Sequence, residues 1–209
     1  MIEKIAKGHT DLIDEFLKSG NAAASTDENG VSVIKWCAYY GDTIAIQLLL
    51  DAGESLDSLG PNLDLNGAVF HAYPELCQFL IDRGANVNYT LEKSGESPLH
   101  SALSKHTTEE FEVIIEMLLE YGANPNIQTQ AGIETGSFMR DCRTKQESPL
   151  HRAAAFGSEK TIDALLEAGG DKTLKDMNGD TPLTWASWYL RPRSILAKLC
   201  YGEFRVSLG

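Results

Sequence analysis

Apolar residues recur along the chain in short stretches with helical spacing, and a glycine closes each stretch. Paired Leu-Leu or Leu-Ile residues stand shortly before Gly53, Gly84, Gly122 and Gly169. Such pairs form an apolar face that a helix buries against a neighbouring element. A glycine directly after a helix favours the left-handed cap that ends it. The pattern therefore predicts several short amphipathic helices of similar construction, each stopped by a glycine.

A second pattern recurs at the helix starts that precede these glycines. The segment Glu96–Ala102 (ESPLHSA) returns as Glu147–Ala153 (ESPLHRA), and Asp180–Ala186 (DTPLTWA) is a third copy without the histidine. A Ser or Thr before Pro-Leu suits a helix start, because the hydroxyl caps free N–H groups and proline is tolerated at the first helical position. The chain is therefore predicted to consist of repeated units that bury their apolar faces by stacking.

The spacing of the closing glycines gives the length of the repeated unit. With Gly20 and Gly202 as looser copies, the successive intervals are 33, 31, 38, 47 and 33 residues. The 38-residue interval contains an insertion near Lys105, and the 47-residue interval contains a longer one within residues 127–145. The second repeat is degenerate, because Leu-Asp-Leu-Asn at 63–66 stands where the Ser/Thr-Pro-Leu motif is expected.

Further short motifs recur at matching positions of the repeats. They are SPLH at Ser97 and Ser148, TPL at Thr181, GAN-x-N at 84–88 and 122–126, and D-x-N-G at Asp27 and Asp176. By these motifs the chain resembles ankyrin repeat proteins over almost its whole length, and it is similar to bacterial members of that family. The resemblance implies an all-α ankyrin repeat solenoid of helix-turn-helix units with β-turn fingers, one of them extended near 127–145.

The repeats predict one ankyrin repeat domain over residues 1–209. Residues 1–26 are expected to form an N-terminal half repeat or cap, with Leu12, Ile13, Phe16 and Leu17 on its helix. The remaining units are expected at 27–59, 60–90, 91–126 and 127–175, with a capping repeat at 176–209. The extended finger is expected to be a β-hairpin with Gly136 at its turn.

Composition and charge narrow the classes of partner. Hydrophobic residues make up 43% of the 209-residue chain and charged residues 23%, as in ordinary soluble domains. No apolar run of 18 residues and no signal-peptide core occur, so we expect a cytoplasmic protein. The net charge of −12 repels nucleic acids and anionic membrane surfaces and favours a basic protein partner.

The cysteines and histidines do not form a recognisable chemical site. The four cysteines are widely spaced at Cys37, Cys77, Cys142 and Cys200, and no C-x-x-C pair occurs, which predicts free thiols and neither a zinc site nor another metal. The resemblance implies that His100 and His151 form hydrogen bonds between neighbouring repeats. No cofactor is expected, because the chain contains neither a phosphate-binding loop nor a G-x-S-x-G motif.

Aromatic residues are concentrated at one repeat position. In ankyrin repeats, by resemblance, the two residues before the glycine between the helices point into a concave groove and are usually polar. Here they are Tyr39 and Tyr40, Phe70 and His71, Ser104 and Lys105, Ala155 and Phe156, and Trp188 and Tyr189. Six of these ten are Phe, Tyr or Trp, although the chain is only 8% aromatic. Because aromatic side chains dominate binding hot spots, the pattern predicts a recognition groove.

The expected function is therefore a non-enzymatic, monomeric protein–protein interaction module. Its predicted partner-binding residues are Tyr39, Tyr40, Phe70, His71, Phe156, Trp188 and Tyr189 in the groove, with Phe138 and Arg140 from the insertion. The alternative is that the insertion folds over these rings and makes them part of the core.

Two alternative functions stay open. One is an enzyme or redox sensor centred on Cys142. Arg140 and Arg143 would favour the thiolate of Cys142, and His151 would act as a base. The other is a structural subunit that self-associates through the groove.

Overall fold

The structure is a computed structural model that describes residues 1–104, 108–135 and 143–206. Its contacts divide the chain into two compact units, Met1–Asn86 and Val87–Gly209. Within the described residues, regular structure consists of short helices and one two-stranded sheet. This confirms the predicted helical repeats with one strand-forming finger.

The first unit contains six α-helices joined by short 3-10 turns. They are α1 (Ile2–Ile5), α2 (Ile13–Lys18), α3 (Val33–Tyr39), α4 (Thr43–Asp51), α5 (Leu65–Phe70) and α6 (Pro74–Ile81). Helices α3 and α4 pack as one pair and α5 and α6 as the next, and α2 packs on α4. The segment 1–26, predicted as a half repeat, thus contains two short helices. Its core is formed by residues with no exposed surface, among them Ile13 and Phe16.

The degenerate repeat has an irregular start. Asn62, Leu63 and Asp64 have φ values of 53°, 54° and 56°, in the left-handed region that side chains other than glycine rarely adopt. Without a capping hydroxyl and a proline at the first helical position, the chain has no ordinary helix start here. Helix α5 consequently begins only at Leu65 and is six residues long.

The described residues of the second unit form six helices and the sheet. Its elements are α7 (Pro98–Ala102), α8 (Glu109–Glu120), β1 (Ala131–Glu134), β2 (Arg143–Lys145), α9 (Pro149–Phe156), α10 (Glu159–Glu167), α11 (Pro182–Trp188) and α12 (Arg193–Leu199). Helix α9 packs against α10 and α11, and α10 packs against α8 and α12. Leu99, Leu150 and Leu165 are fully buried in this core.

The helix starts and ends follow the sequence motifs. Ser97, Ser148 and Thr181 are the N-cap residues of α7, α9 and α11, and a proline occupies the first turn of each helix. At the ends of α8 and α10, Gly122 and Gly169 have φ values of 82° and 88°. The predicted proline starts and left-handed glycine stops are therefore confirmed at these helices.

Asparagines of the GAN-x-N motif join successive repeats of the second unit. Asn88 donates from Nδ2 to the carbonyl of Gly122 (2.9 Å), and its Oδ1 accepts from the backbone N–H of Asn124 (2.7 Å). Asn126 makes the same two bonds around Gly169, at 2.9 and 2.8 Å. Each side-chain amide thus satisfies one backbone carbonyl and one backbone N–H of the next repeat.

The inserted finger is a β-hairpin at its base. Strands β1 and β2 are antiparallel, with Ala131 opposite Lys145 and Glu134 opposite Arg143, so that one extra residue interrupts the register. Such a bulge bends and twists a two-stranded ribbon. The strand pairing agrees with the predicted hairpin, and Gly136, expected at its turn, lies outside the described residues.

Candidate functional site

The predicted groove residues of the first unit form one cluster of rings. Tyr39 at the end of α3 is 51% exposed, and its ring meets the imidazole of His71 edge-on at 5.0 Å between centroids. His71 contacts Phe70 edge-on at 5.4 Å and stacks on Tyr73 at 5.8 Å. The ends of α3 and α5 therefore present a partly exposed aromatic surface, the first-unit ring cluster.

Tyr40 is held by the preceding helix pair. Its hydroxyl donates to the carbonyl of Ala6 (3.0 Å), and its Cε1 lies 3.3 Å from where a Cβ on Gly8 would stand. Tyr73 makes an equivalent contact one repeat later, where its hydroxyl donates to the carbonyl of Tyr39 (3.2 Å). Tyr40 is 36% exposed, so part of its ring stabilises the stack and part faces solvent.

A cavity of about 620 Å³ lies beneath the first-unit ring cluster. Trp36 and Tyr39 line it from α3, Leu76 and Leu80 from α6, and Asp64 from the irregular start of α5. Its size is in the range of small-molecule sites, which are mostly apolar with a few polar groups.

The predicted residues of the second unit also cluster. Trp188, the last residue of α11, is 74% exposed, and Tyr189 directly after it is 41% exposed. Phe156, at the end of α9, is half-buried and meets Tyr189 edge-on at 4.8 Å. Tyr189 also lies 6.4 Å from Trp185, which is 5% exposed. These four side chains form the second-unit ring cluster.

A pocket of about 370 Å³ opens beside the second-unit ring cluster. Its lining combines three aromatic rings, two carboxylates and one ammonium: Trp185, Trp188, Tyr189, Asp176, Asp180 and Lys145. Trp185 is fixed by a bond from its Nε1 to Asp176 Oδ2 (3.1 Å). Lys145 reaches the pocket from β2, and its Nζ lies 5.5 Å from the Trp185 ring centroid. The finger base and the last helix pair thus meet in one pocket.

Several residues predicted to bind a partner or to act in catalysis lie away from these clusters or outside the described residues. Ser104 and Ala155 occupy predicted groove positions, but they are 5% and 3% exposed and offer almost no surface. Phe138, Arg140 and Cys142 lie outside the described residues. The predictions that rest on them, including catalysis or redox sensing at Cys142, stay predictions.

The recurrent histidines connect consecutive repeats, as the resemblance implies. Nδ1 of His100 accepts from the N–H of Ser97 (3.1 Å), so Nε2 carries the proton and donates to the carbonyl of Glu147 (3.2 Å). His151 repeats this arrangement with Ser148 and Asp180 at 3.2 and 3.1 Å. Both rings are fully buried and each uses both nitrogens within the fold.

Burial keeps the two histidines neutral. Loss of hydration, reinforced by the charge of Arg152, lowers the pKa of His100 to about 3. Loss of hydration also lowers the pKa of His151. Histidines that stay neutral and use both nitrogens in the scaffold are not available as bases.

A buried ion network lies at the start of α9, and the sequence patterns did not predict it. Arg152 on α9 donates from Nη2 to Glu96 (2.8 Å) and to Glu147 (2.6 Å), and from Nη1 to the carbonyl of His100 (2.9 Å). Glu147 also accepts from the hydroxyl of Thr129 (2.8 Å) and the N–H of Lys145 (2.6 Å). A signal was present, because a glutamate precedes both SPLH motifs.

The charges of this network shift the glutamate pKa values. Burial alone would raise the pKa of Glu147, but the charge of Arg152 and the donated hydrogen bonds outweigh it and hold the value at about 2. Burial would also raise the pKa of Glu96, but the charge of Arg152 and the hydrogen bond from Thr135 lower it. Both glutamates therefore stay ionised inside the protein, where they fix the finger base to the start of α9.

The described cysteines are free thiols. Cys37 and Cys77 are buried, and Cys200 is half-buried. Loss of hydration raises the pKa of Cys37 and of Cys77 to about 12, which suppresses the reactive thiolate. Within the described ranges, no group of three His, Cys, Asp or Glu side chains is arranged to hold a metal ion. None of the helices described here has the length and apolar character needed to span a membrane.

Comparison with known families agrees with this fold. Residues 68–115 match a family model described as ankyrin repeats (many copies), and residues 145–177 match the model of the ankyrin repeat. The crystal structure of the ankyrin repeat domain of Bcl-3, a unique member of the IkappaB protein family, matches with a TM-score of 0.63 and 25% identity. That match covers 93% of this chain and 78% of the other. The chain is an ankyrin repeat protein.

Curated relatives share parts of this repeat region. The B-cell lymphoma 3 protein homolog of Mus musculus is 27% identical over 179 residues, which are 83% of this chain and 36% of that protein. Palmitoyltransferase ZDHHC13 of Homo sapiens is 26% identical over 192 residues, 82% of this chain and 31% of that protein. The ankyrin repeat, SAM and basic leucine zipper domain-containing protein 1 of Nomascus leucogenys is 40% identical over 90 residues, 42% and 18% of the two chains.

These relatives bear on function only through the repeats. The chain spans about a third of the length of the first two relatives and less of the third. The match to the palmitoyltransferase is a match to its repeats. The similarity supports a protein–protein interaction module, and the bacterial character of the chain stays a prediction.

Proposed function

We propose that this ankyrin repeat protein binds a partner protein through its two ring clusters. The observation that carries the proposal is the exposure of Trp188, whose side chain is 74% accessible at the end of α11. A large apolar ring in water has a free-energy cost that burial in an interface removes. Trp and Tyr are also the residues that most often dominate binding energy.

The first-unit ring cluster supports the same proposal from a different part of the chain. Tyr39 is about half exposed, and its contacts with His71 and Tyr40 hold the ring in place before any partner arrives. A ring that is already ordered loses little conformational entropy on binding. The two clusters therefore resemble binding hot spots more than accidental exposure.

The negative charge of the chain supports a basic partner. Residues 1–86 carry 13 Asp and Glu side chains against five Lys and Arg, and the whole chain has a net charge of −12. A strongly acidic surface accelerates the encounter with a basic protein and repels acidic ones. We therefore propose that the partner carries a basic docking segment. The monomeric state of the chain is a separate proposal.

Affinity purification with matched variants tests the proposal. We expect Trp188→Ala and Tyr39→Ala each to reduce capture of the partner at least about tenfold, because each removes an exposed anchor ring. Tyr121→Ala is the control, since Tyr121 is 49% exposed at the end of α8 and lies in neither cluster. Circular dichroism would verify that all three variants fold. Equal capture by all variants would exclude the ring clusters as the binding surface.

Self-association through the same rings is the competing outcome. The mass of the wild-type chain in solution, measured by light scattering across a concentration series, distinguishes self-association from binding to another protein. A mass of one chain at all concentrations agrees with a surface kept for another protein. A dimer that Trp188→Ala dissolves would instead identify a second copy of this chain as the partner.

A further inference from the structure

We infer that the pocket beside the second-unit ring cluster binds the cationic end of a Lys or Arg side chain from the partner. The inference rests on the proposed function and names the chemistry that this part of the surface recognises. Three aromatic residues and two aspartates line a space of about 370 Å³, which lies at the low end of the range of ligand pockets and accommodates one long side chain.

Two tryptophans and one tyrosine line the pocket. Trp185 is fixed by its bond to Asp176 and cannot turn away from the pocket. Trp188 lies on the same helix three residues later, and Tyr189 packs against Phe156. Side-chain cations are attracted to the faces of such rings within about 6 Å of the centroid, most strongly to tryptophan.

The chain already places one of its own cations here. Nζ of Lys145 stands 5.5 Å from the centroid of Trp185, within the distance at which a cation and a ring attract each other. Lys145 is exposed at the end of β2, so a cation from solution can replace it without opening the core. Lys145 is therefore the internal competitor of the proposed ligand.

The carboxylates supply charge complementarity. Asp180 contributes its backbone to the fold, because its carbonyl accepts from His151 and its N–H donates to Asp176. Asp180 lines the pocket, and within the described residues its carboxylate takes part in no ion pair of the kind that Arg152 and Lys198 form. Changing this carboxylate to an amide removes charge and keeps the shape.

Titrations with small probes test the pocket directly. The probes are N-acetyl-arginine amide, N-acetyl-lysine amide and the neutral isostere N-acetyl-citrulline amide, added to the full ¹⁵N-labelled chain. The indole N–H signals of Trp185 and Trp188 report the pocket. The backbone amide signal of Tyr121, an exposed residue of the same unit that does not line the pocket, is the internal control. We expect both cationic probes to shift the first two signals saturably and citrulline amide to leave them unchanged. A stronger effect of the arginine or the lysine probe identifies the preferred cation.

Two variants and a control sharpen the result. Lys145→Met should tighten binding of the cationic probes about threefold, because it removes the competing ammonium from Trp185. Asp180→Asn should weaken it about threefold, because it removes an attractive charge. Glu92→Gln changes an exposed carboxylate in the same unit that does not line the pocket, and we expect no effect.

Three results would overturn the inference. They are equal binding of citrulline amide, a weaker or unchanged affinity in Lys145→Met, and the lack of a saturable shift in both the wild-type chain and Lys145→Met. Different results would overturn the proposed function and the pocket inference. Loss of partner capture in Trp188→Ala together with no cation binding overturns only the pocket inference. Cation binding by a chain that captures no partner overturns only the proposed function.

Discussion

Arg152 and Glu147 form an ion pair that is closed to water. The guanidinium Nη2 and Nε lie 2.6 and 3.0 Å from Glu147 Oε1, and neither side chain exposes any surface. Glu96 joins from the preceding repeat, so one cation stands between two carboxylates. Because Glu147 also accepts from the N–H of Lys145, the network joins two consecutive repeats and the base of the finger.

We expect Arg152→Met to destabilise the chain by about 3–5 kcal/mol, because the substitution leaves two buried carboxylates without their cation. Arg152→Lys should rescue little, since one ammonium cannot reproduce the fork that reaches Glu96, Glu147 and the His100 carbonyl. Urea unfolding at pH 7 measures the loss. Lys160→Met is the control, because it breaks an exposed ion pair and should change stability little.

Stability should fall when the pH decreases below about 6.5. The pKa of His100 is lowered from 6.5 to about 3 in the fold, so between these values the unfolded chain binds a proton there and the folded chain does not. Protons thus favour unfolding, and His100 alone contributes a slope of about 1.4 kcal/mol per pH unit. His151, whose pKa is also lowered, adds in the same direction.

A histidine variant isolates this effect from that of the glutamates. In His100→Gln the amide oxygen can accept from Ser97 as in a capping box, and the side chain no longer titrates. Urea unfolding between pH 6.5 and 5 should show a shallower pH dependence than the wild-type chain. An identical slope would mean that His100 is protonated in the fold. Below about pH 4.5 the ionised Glu147, whose pKa is about 2, adds a further loss in both chains.

The asparagine bonds between repeats predict a moderate and local effect. Asn126→Ala removes one bond to the Gly169 carbonyl and one from Asp171, and should cost about 1–2 kcal/mol. Hydrogen exchange should show faster exchange of the Asp171 amide before other amides change. Asn178→Ala is a suitable control, because only the backbone N–H of Asn178 takes part in the turn at Asp176. Equal exchange of Asp171 in the variant and the wild-type chain would contradict the prediction.

Leu190 predicts a stabilising substitution. Its φ is 52° and its side chain is 91% exposed, so the residue has a left-handed backbone and little packing to compensate. Leu190→Gly should raise stability by about 0.5–1 kcal/mol, which thermal unfolding measures. The reverse change at the matching turn of the first unit, Gly41→Ala, should destabilise, because the new Cβ would lie 2.8 Å from Cγ of Tyr73. A lower melting temperature for Leu190→Gly would contradict this reasoning.

The sequence predicted those parts of the fold that depend on local chemistry. Ser97, Ser148 and Thr181 cap helices, and Gly122 and Gly169 end them, because hydroxyls, proline and glycine act within a few residues of their own position. The recurrence of the motif then placed the helices without any knowledge of long-range contacts.

The features that depend on distant partners were not predictable in this way. Glu96 and Arg152 are 56 positions apart, and an ion pair between them has no periodic signature. The left-handed run at Asn62–Asp64 lies where the repeat motif is missing, and no periodic pattern indicates it. The aromatic positions were recognised from their repeat register, but the register did not distinguish the buried Ala155 from the exposed Trp188.

Tyr40 and Trp188 illustrate that difference and provide the last prediction. Tyr40 donates to the Ala6 carbonyl and packs on Gly8, so Tyr40→Ala should lower the melting temperature. Tyr40→Phe keeps the ring and loses only the hydrogen bond, so about 1 kcal/mol should be lost. Trp188 is mostly in water, and Trp188→Ala should leave the melting temperature nearly unchanged while it reduces partner capture. If Trp188→Ala were the more destabilising substitution, Trp188 would belong to the core of the last repeat and the anchor proposed at that position would be lost.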